Sequence, residues 1–421
     1  MKKTLSLMLA LAMLVCVVGC AQTAGQEPTA AEAEMDFTIP ELELSVPAPM
    51  QYPDYTVGEN PTIQEMRETA ARAMEDYLRL QWTPSKYMCY YKIGAAAHKQ
   101  FNYVPGYVFT GLPYTNAGTA LVAWFEYYDP ATGVLNYPGD GQELNRELGA
   151  ACSRTVYQAW LTVCNSMTGN HNVVSSTKAN GFIPIGPYTY NDLLTDFSNY
   201  FTTKIVEDNG EQIMCQSYAV LQQGDGLVSV PNISGTHVMM CDGDPVVVYN
   251  DDGTINPDKS YVPVQDQRAG SGNHYYDEMY GDLLTYRSGR YYAELSFKAL
   301  LSEGYLPYSN AEFLGLDPYE IPEVTFSEAN CTSIDQLLKG KLEGNYPLSV
   351  VKVVVEDAEG NQTVLAREIQ TIQYKFNMLD LGGDLSSEAA QKIISESAGQ
   401  TVKLLAVIPN GQVFTLAEFV L

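Results

Sequence analysis

The chain is short of positive charge. Only 24 Lys and Arg stand against 50 Asp and Glu, a formal charge of −26 at pH 7 across 421 residues. Binding a phosphate backbone needs clustered Lys and Arg, so this composition excludes nucleic acid as a partner. It also excludes docking on an anionic membrane through a basic patch. Beyond the N-terminus no apolar run is long enough to span a bilayer. The eight Cys include no CxxC pair, which argues against a zinc ribbon or a small disulfide scaffold. Hydrophobic residues at 46% and charged residues at 18% are ordinary for a folded chain, and the length allows two or three domains.

The first residues read as an export signal. Lys2 and Lys3 precede the short apolar stretch from Leu5 to Val18, and Val17-Val18-Gly19-Cys20 resembles the bacterial lipobox. On this reading residues 1–19 are removed and Cys20 carries lipid. The protein would then be extracytoplasmic, tethered to the cell membrane of a bacterium. Residues 20–60 hold eight acidic residues, no Lys or Arg, and Pro28, Pro40, Pro47, Pro49 and Pro53, the composition of a self-repelling linker.

From residue 61 the pattern changes. Ile63, Met66, Ala70, Met74, Tyr77 and Leu78 recur at helical spacing, predicting a helix to about Leu80. A second helix is predicted from Cys152 to Met167, with Val156, Ala159, Trp160, Val163, Cys164 and Met167 on one stripe. Strands are expected at 227–230, 237–241, 246–249 and 261–265, followed by a helix at 295–302 that Gly304 and Pro307 stop. Helices followed by an antiparallel meander make residues 61–318 an α+β domain. Residues 319–421 look strand-dominated, with strands at 348–355, 402–407 and 413–420. They are expected to form an immunoglobulin-like β-sandwich serving as spacer or binding module.

Chemistry concentrates on three residues. Cys152 opens a helix, where the helix dipole lowers a thiol pKa. His237 opens a strand as a candidate general base, and Asp266 ends a later strand where it could orient the imidazole. Of the six Cys outside the signal and anchor, the even number permits disulfides, though at least one is expected to remain a thiol for chemistry. No metal is expected. His98, His171 and His274 lack ligand-type spacing, and His237 and Cys241 share a strand face without further ligands. The loop 250–256 looks calcium-binding but lacks the closing Glu of an EF-hand, so it reads as a hairpin turn. The pairs Tyr90-Tyr91, Tyr275-Tyr276 and Tyr291-Tyr292 read as core packing rather than sugar-stacking platforms.

Five short motifs then carry a resemblance. Gly111-Leu112-Pro113-Tyr114 is similar to the Gly-x-Pro-Tyr of NlpC-like cell-wall peptidases, and Ala151-Cys152-Ser153-Arg154-Thr155-Val156 to their Asp-Cys-Ser-Gly-x-Val. Leu221-Gln222-Gln223-Gly224-Asp225 resembles their Leu-x-x-Gly-Asp, and Gly235-Thr236-His237-Val238 their Gly-His-Val. Val264-Gln265-Asp266-Gln267 resembles the Val-x-Glu-Gln of the related CHAP amidases. The order holds across residues 105–268. The resemblance implies a papain-like fold and a cysteine peptidase or amidase acting on peptidoglycan peptides without a cofactor. Cys152 would be nucleophile, His237 base and Asp266 the orienting acid, with Tyr114, Ser153 and Gln267 in the substrate and oxyanion region. Ala151 in place of Asp and Arg154 in place of Gly depart from the pattern, as do long stretches between Tyr114 and Cys152 and between Cys164 and Leu221. These departures favour the alternative, a catalytically silent cell-wall-binding or scaffold lipoprotein of the same fold. An acyltransferase using the same residues is a third possibility.

Overall fold

A computed structural model describes residues 46–92, 99–115, 117–165, 183–189, 201–232, 235–267, 275–277 and 292–421. Residues 1–45, with the export signal and Cys20, lie outside them. So do His98, His171, His274, half of the stretch between Cys164 and Leu221, and the side chains of the three Tyr pairs.

The first long helix, Ile63–Arg79, begins where the sequence provides a capping box. The Thr62 hydroxyl accepts from the Glu65 N–H, and the Glu65 carboxylate accepts from the Thr62 N–H. Its inward face buries Met66, Ala70, Met74, Tyr77 and Leu78 of the stripe read from the sequence, whereas Ile63, on the first turn, is exposed. The stretch before it is not a free linker up to residue 60. From residue 46 it lies packed as a strap, with Pro47 and Pro53 buried and Tyr55 only 1% exposed. The Tyr55 N–H donates to the Asn410 carbonyl (2.8 Å) and the Met50 N–H to the Tyr128 hydroxyl (3.1 Å). Prolines lose little chain entropy on ordering, and the apolar side chains between the acidic residues find pockets, so the composition of a linker here makes a packed segment.

The central element is a six-stranded antiparallel sheet. Its strand order is Tyr292–Ser296, Tyr261–Gln265, Gly235–Cys241, Gly226–Asn232, Tyr305–Ser309, Ile183–Pro184. The helix Cys152–Trp160 packs on it through Trp160, whose indole N–H donates to the Gly224 carbonyl (2.6 Å). A Cβ at Gly226 would come within 3.0 Å of that ring, so glycine is what lets helix and sheet approach. Two smaller sheets of four and three strands complete this α+β part.

Several expected bounds shift. The Cys152 helix ends at Trp160 rather than Met167, and turn-type hydrogen bonds follow through Cys164. Residues 246–249 make only the isolated bridges Val246↔Tyr261 and Tyr249↔Ile255, because the 250–256 turn, closed by the Asn250 N–H on the Thr254 carbonyl and the Thr254 N–H on the Asp252 carboxylate, takes up the chain. Leu295 lies in a strand, and the following helix runs Phe297–Glu303 from its Ser296 cap to left-handed Gly304.

A buried ion pair joins the first helix to the sheet. The Arg67 guanidinium meets Asp225 at 2.8 Å, with side chains 3% and 1% exposed. Arg67 also donates to the carbonyls of Gln223 and Phe313, while Asp225 accepts from the Ser309 hydroxyl (2.6 Å) and the Gln222 N–H (2.8 Å). Each charge is therefore matched by several donors or acceptors, the condition for tolerating burial.

In the C-terminal part the sixteen-residue strand Lys341–Glu356 pairs with Gln362–Asn377 on one side and with Thr401–Val407 and Val324–Phe326 on the other. Val413–Val420 extends the sheet beyond Thr401–Val407. All five strands belong to one sheet. A helix, Glu388–Glu396, capped by Ser387, lies between the strands Gln362–Asn377 and Thr401–Val407. The two facing sheets of an immunoglobulin-like sandwich are therefore not seen. Residues 362–377 carry charged and apolar side chains without clean alternation, so their single long strand gave no period-two signal. This sheet has its own core around Leu342, Val353, Phe376 and Leu404, yet Val350 and Val407 belong to the larger core. No helix among the described residues is long and apolar enough to cross a membrane.

Replacing Asp225 by Ala would leave Arg67 charged and buried without its counterion. The expected loss is about 3–5 kcal/mol, read as a lower urea midpoint at constant denaturant slope. A change within about 0.5 kcal/mol would show that the pair is not buried in solution.

Candidate active site

The site is assembled at the start of the Cys152 helix. The loop that brings Tyr114 hangs from the end of the first helix, with the Gly111 N–H on the Leu80 carbonyl (2.8 Å) and the Leu112 N–H on the Tyr77 carbonyl (2.9 Å). It is then stitched to the residues before Cys152. The Ala150 N–H donates to Pro113 (3.2 Å), and the Thr115 hydroxyl to Leu148 (2.7 Å). Gly149 makes this possible. Its φ is +91° and a Cβ there would fall 2.5 Å from the Pro113 oxygen.

Ala151 is the extended N-cap and makes no side-chain cap bond, and no acidic residue occupies the first turn. The positive end of the helix thus faces the Cys152 thiol without a carboxylate to neutralise it. His237 approaches from the sheet. Its Nε2 lies 2.7 Å from Oδ1 of Asp266, which is 1% exposed, leaving Nδ1 as the nitrogen available to the thiol. Pairing between the His237 and Asp266 strands covers only Val264↔Cys241 and Gln265↔Met240. Past that point the Val238 N–H bonds to the Cys152 sulfur instead. The Tyr114 hydroxyl donates to the same sulfur at 3.5 Å.

Electrostatics follow from this packing. Burial alone would push the Cys152 thiol up, but the hydrogen bond and charge of His237, the Tyr114 hydroxyl and the Val238 N–H outweigh it and bring the thiol below its ordinary range. Burial would likewise discharge His237. The hydrogen bond that the ring donates to Asp266, then the contact with Cys152, reverses that and raises the imidazole to about 9. Burial also pushes the Tyr114 hydroxyl up, as does the charge of Cys152, keeping the phenol protonated as a donor. The other buried thiols go the opposite way. Cys164 and Cys241 are held well above the usual range by burial, and Cys215 rises to about 11 for the same reason. None of Cys164, Cys215, Cys241 and Cys331 forms a disulfide. A lowered thiol beside a raised imidazole shifts the pair towards thiolate and imidazolium, the direction that favours a sulfur nucleophile.

The structure thus brings Cys152, His237, Asp266 and Tyr114 together. Ser153 sits half-buried on the first turn next to Cys152. Gln267 does not face the reacting sulfur. It is 0% exposed and gives its amide N–H groups to the carbonyls of Leu112 (2.9 Å) and Ala150 (3.4 Å). Gln158 escaped the sequence reading, and Arg154 enters it only as a departure from the family pattern, not for its supporting role. Arg154 donates to the Ala117 carbonyl (2.7 Å) and Gln158 to that of Gly118 (2.9 Å), holding the loop after Tyr114 against the helix. Their i, i+4 spacing on one helix face was the available signal. Among the described residues no group of three His, Cys, Asp or Glu is placed to hold a metal ion.

No family model, curated protein or solved structure matches the chain.

Site-resolved alkylation by iodoacetamide should modify Cys152 at mildly acidic pH, where an ordinary thiol is protonated. Replacing His237 by Ala removes the cation and leaves burial dominant, so the midpoint of the alkylation profile should move above the ordinary thiol value of about 8.5. An unchanged midpoint in the folded variant would separate His237 from the thiol.

Proposed function

We propose that the chain is a papain-like cysteine hydrolase acting on amide bonds of peptidoglycan peptides, lipid-anchored through Cys20 on the outer side of a bacterial cell membrane. The observation that carries the catalytic part is the lowered Cys152 thiol against a His237 ring whose far nitrogen is 2.7 Å from buried Asp266. The substrate class and the anchor rest on the sequence motifs.

In this reading the Cys152 thiolate adds to the amide carbonyl carbon, and the electron pair moves to oxygen. The open helix start, with the Cys152 N–H, and the protonated Tyr114 hydroxyl are the donors nearest the developing oxyanion. The intermediate collapses with cleavage of the C–N bond, and the His237 imidazolium supplies the proton to the leaving amine. Neutral His237 next takes a proton from water, whose oxygen attacks the thioester. The acid product leaves and the thiolate–imidazolium pair is restored. Asp266 keeps the ring oriented and its charge compensated throughout.

Ala151 fits this chemistry. An Asp at the N-cap would place a carboxylate against the helix start and raise the thiol, whereas Ala leaves the dipole uncompensated.

Two outcomes are expected with purified muropeptides as substrate. Cys152→Ala should lower cleavage by at least about a thousandfold. Unchanged cleavage by the variant removes the assignment. The kcat/KM profile should be bell-shaped. The thiolate is present above the lowered thiol pKa and the imidazolium below about 9, so the acidic limb reports the thiol and the alkaline limb falls near pH 9. For the anchor, Cys20→Ser should release the protein from the membrane fraction, and continued membrane retention counts against lipidation.

A further inference from the structure

We propose that Gln267 is a positioning residue that locks three separate chain segments, each delivering one reactive side chain, into a single catalytic geometry. The inference rests on the cysteine-hydrolase reading and deepens it. Gln267 directly follows Asp266. Its Nε2 donates to the carbonyl of Leu112, two residues before Tyr114, and to that of Ala150, two residues before Cys152. One carboxamide therefore ties the acid, the phenol and the nucleophile within one or two residues of each along the chain.

The chemistry of the side chain fits the task. A carboxamide nitrogen carries two hydrogens, and here two carbonyls face it, so both are used. Glu would aim a charged acceptor at two carbonyl oxygens, and Asn is one methylene too short to reach both. Meanwhile the Gln267 oxygen is buried and meets no donor among the described residues. An orphaned buried acceptor costs stability. A side chain that keeps its donors satisfied at that expense is placed for geometry, as local rule-breaking near functional sites commonly is.

The consequence runs through contacts already described. Asp266 fixes His237 at 2.7 Å, and Tyr114 reaches the Cys152 sulfur at a longer 3.5 Å. Stitching of the Tyr114 loop to the helix start aligns two of the three segments with each other. Gln267 aligns the third with both. The titratable groups around the thiol are then His237, Tyr114 and Asp266, and all three depend on this alignment. Displacements of about 1 Å in such an arrangement are enough to lower rates a hundredfold.

The test uses the full chain with Gln267→Met, which keeps length and volume but drops both donors, and Gln267→Asn. Cys152 alkylation is followed against pH by site-resolved mass spectrometry, below the melting temperature of each variant. We expect the midpoint to rise by about one pH unit in Gln267→Met, a roughly tenfold fall in thiolate at pH 6. kcat on muropeptides should fall while KM changes little, since the side chain touches no substrate. The combined Tyr114→Phe/Gln267→Met variant should shift the midpoint by less than the sum of the single shifts. A lower melting temperature with an unmoved midpoint, or additive shifts, overturns the proposal and leaves Gln267 a purely structural residue. Failure of both variants to fold overturns it in the same sense. If wild-type Cys152 itself shows an ordinary midpoint near 8.5, the cysteine-hydrolase reading fails instead.

Discussion

The close contact between Gly149 and the Pro113 carbonyl is the constraint on which the candidate site depends. No side chain fits there, and the positive φ of Gly149 turns the chain so that Ala151 lies extended and the helix begins at Cys152. Were the helix to start a turn earlier, the thiol would sit along its side, where neither the dipole nor the open N–H groups could act on it. Glycine thus sets the helix phase, and the phase sets which atom meets His237. The backbone bonds from Gly118 and Thr119 to the Gly149 carbonyl fix the same turn from the opposite direction.

That geometry also resolves a conflict between charge and burial. The chain as a whole is strongly acidic, and thiolates are disfavoured both by neighbouring carboxylates and by low dielectric. Around Cys152 the carboxylates have been arranged otherwise. The first helical turn has none, and Asp266 acts on the far side of the imidazole, where its charge strengthens the cation facing the thiol. Burial still opposes each ion, but low dielectric strengthens their mutual attraction, which together with the hydrogen bonds outweighs that penalty. Cys164 and Cys241 show what the same burial does to a thiol without such a partner.

Much of this was legible in the sequence, for identifiable reasons. Local signals with a fixed period survived: the apolar stripe of the Ile63–Arg79 helix and the strands expected at 261–265, 402–407 and 413–420 lie where the sequence puts them. The candidate site residues were legible because helix-start and strand positions are local properties that topology merely assembles. What the sequence hid is long-range. Arg67 looks like any charged residue on an amphipathic helix until Asp225, more than 150 residues away, is seen against it. Gln267 was expected in the substrate and oxyanion region, and nothing local says that it points inward to two backbone carbonyls. The C-terminal sheet was misjudged because strand Gln362–Asn377 is packed against neighbours irregularly along its length, which erases alternation.

The C-terminal sheet also changes meaning once its contacts are followed. A spacer would meet the α+β part through a few exposed polar groups. Instead Glu126, 5% exposed, receives Lys352 at 2.7 Å and lies beside Arg367, whose guanidinium stacks 4.2 Å over the Tyr127 ring. The Tyr346 hydroxyl donates to the Val163 carbonyl, just past the Cys152 helix. The strap then crosses both parts, with Pro47 against Gly133 on one and Tyr55 bonded to Asn410 on the other. Charge pairs this desolvated contribute little net stability but strongly penalise any other docking. With Val350 and Val407 of its strands packed into the larger core, the sheet is a fixed wall of the α+β part. The segment that leads out towards the N-terminus is anchored across the joint, so pulling on it loads both cores together rather than the Cys152 helix alone.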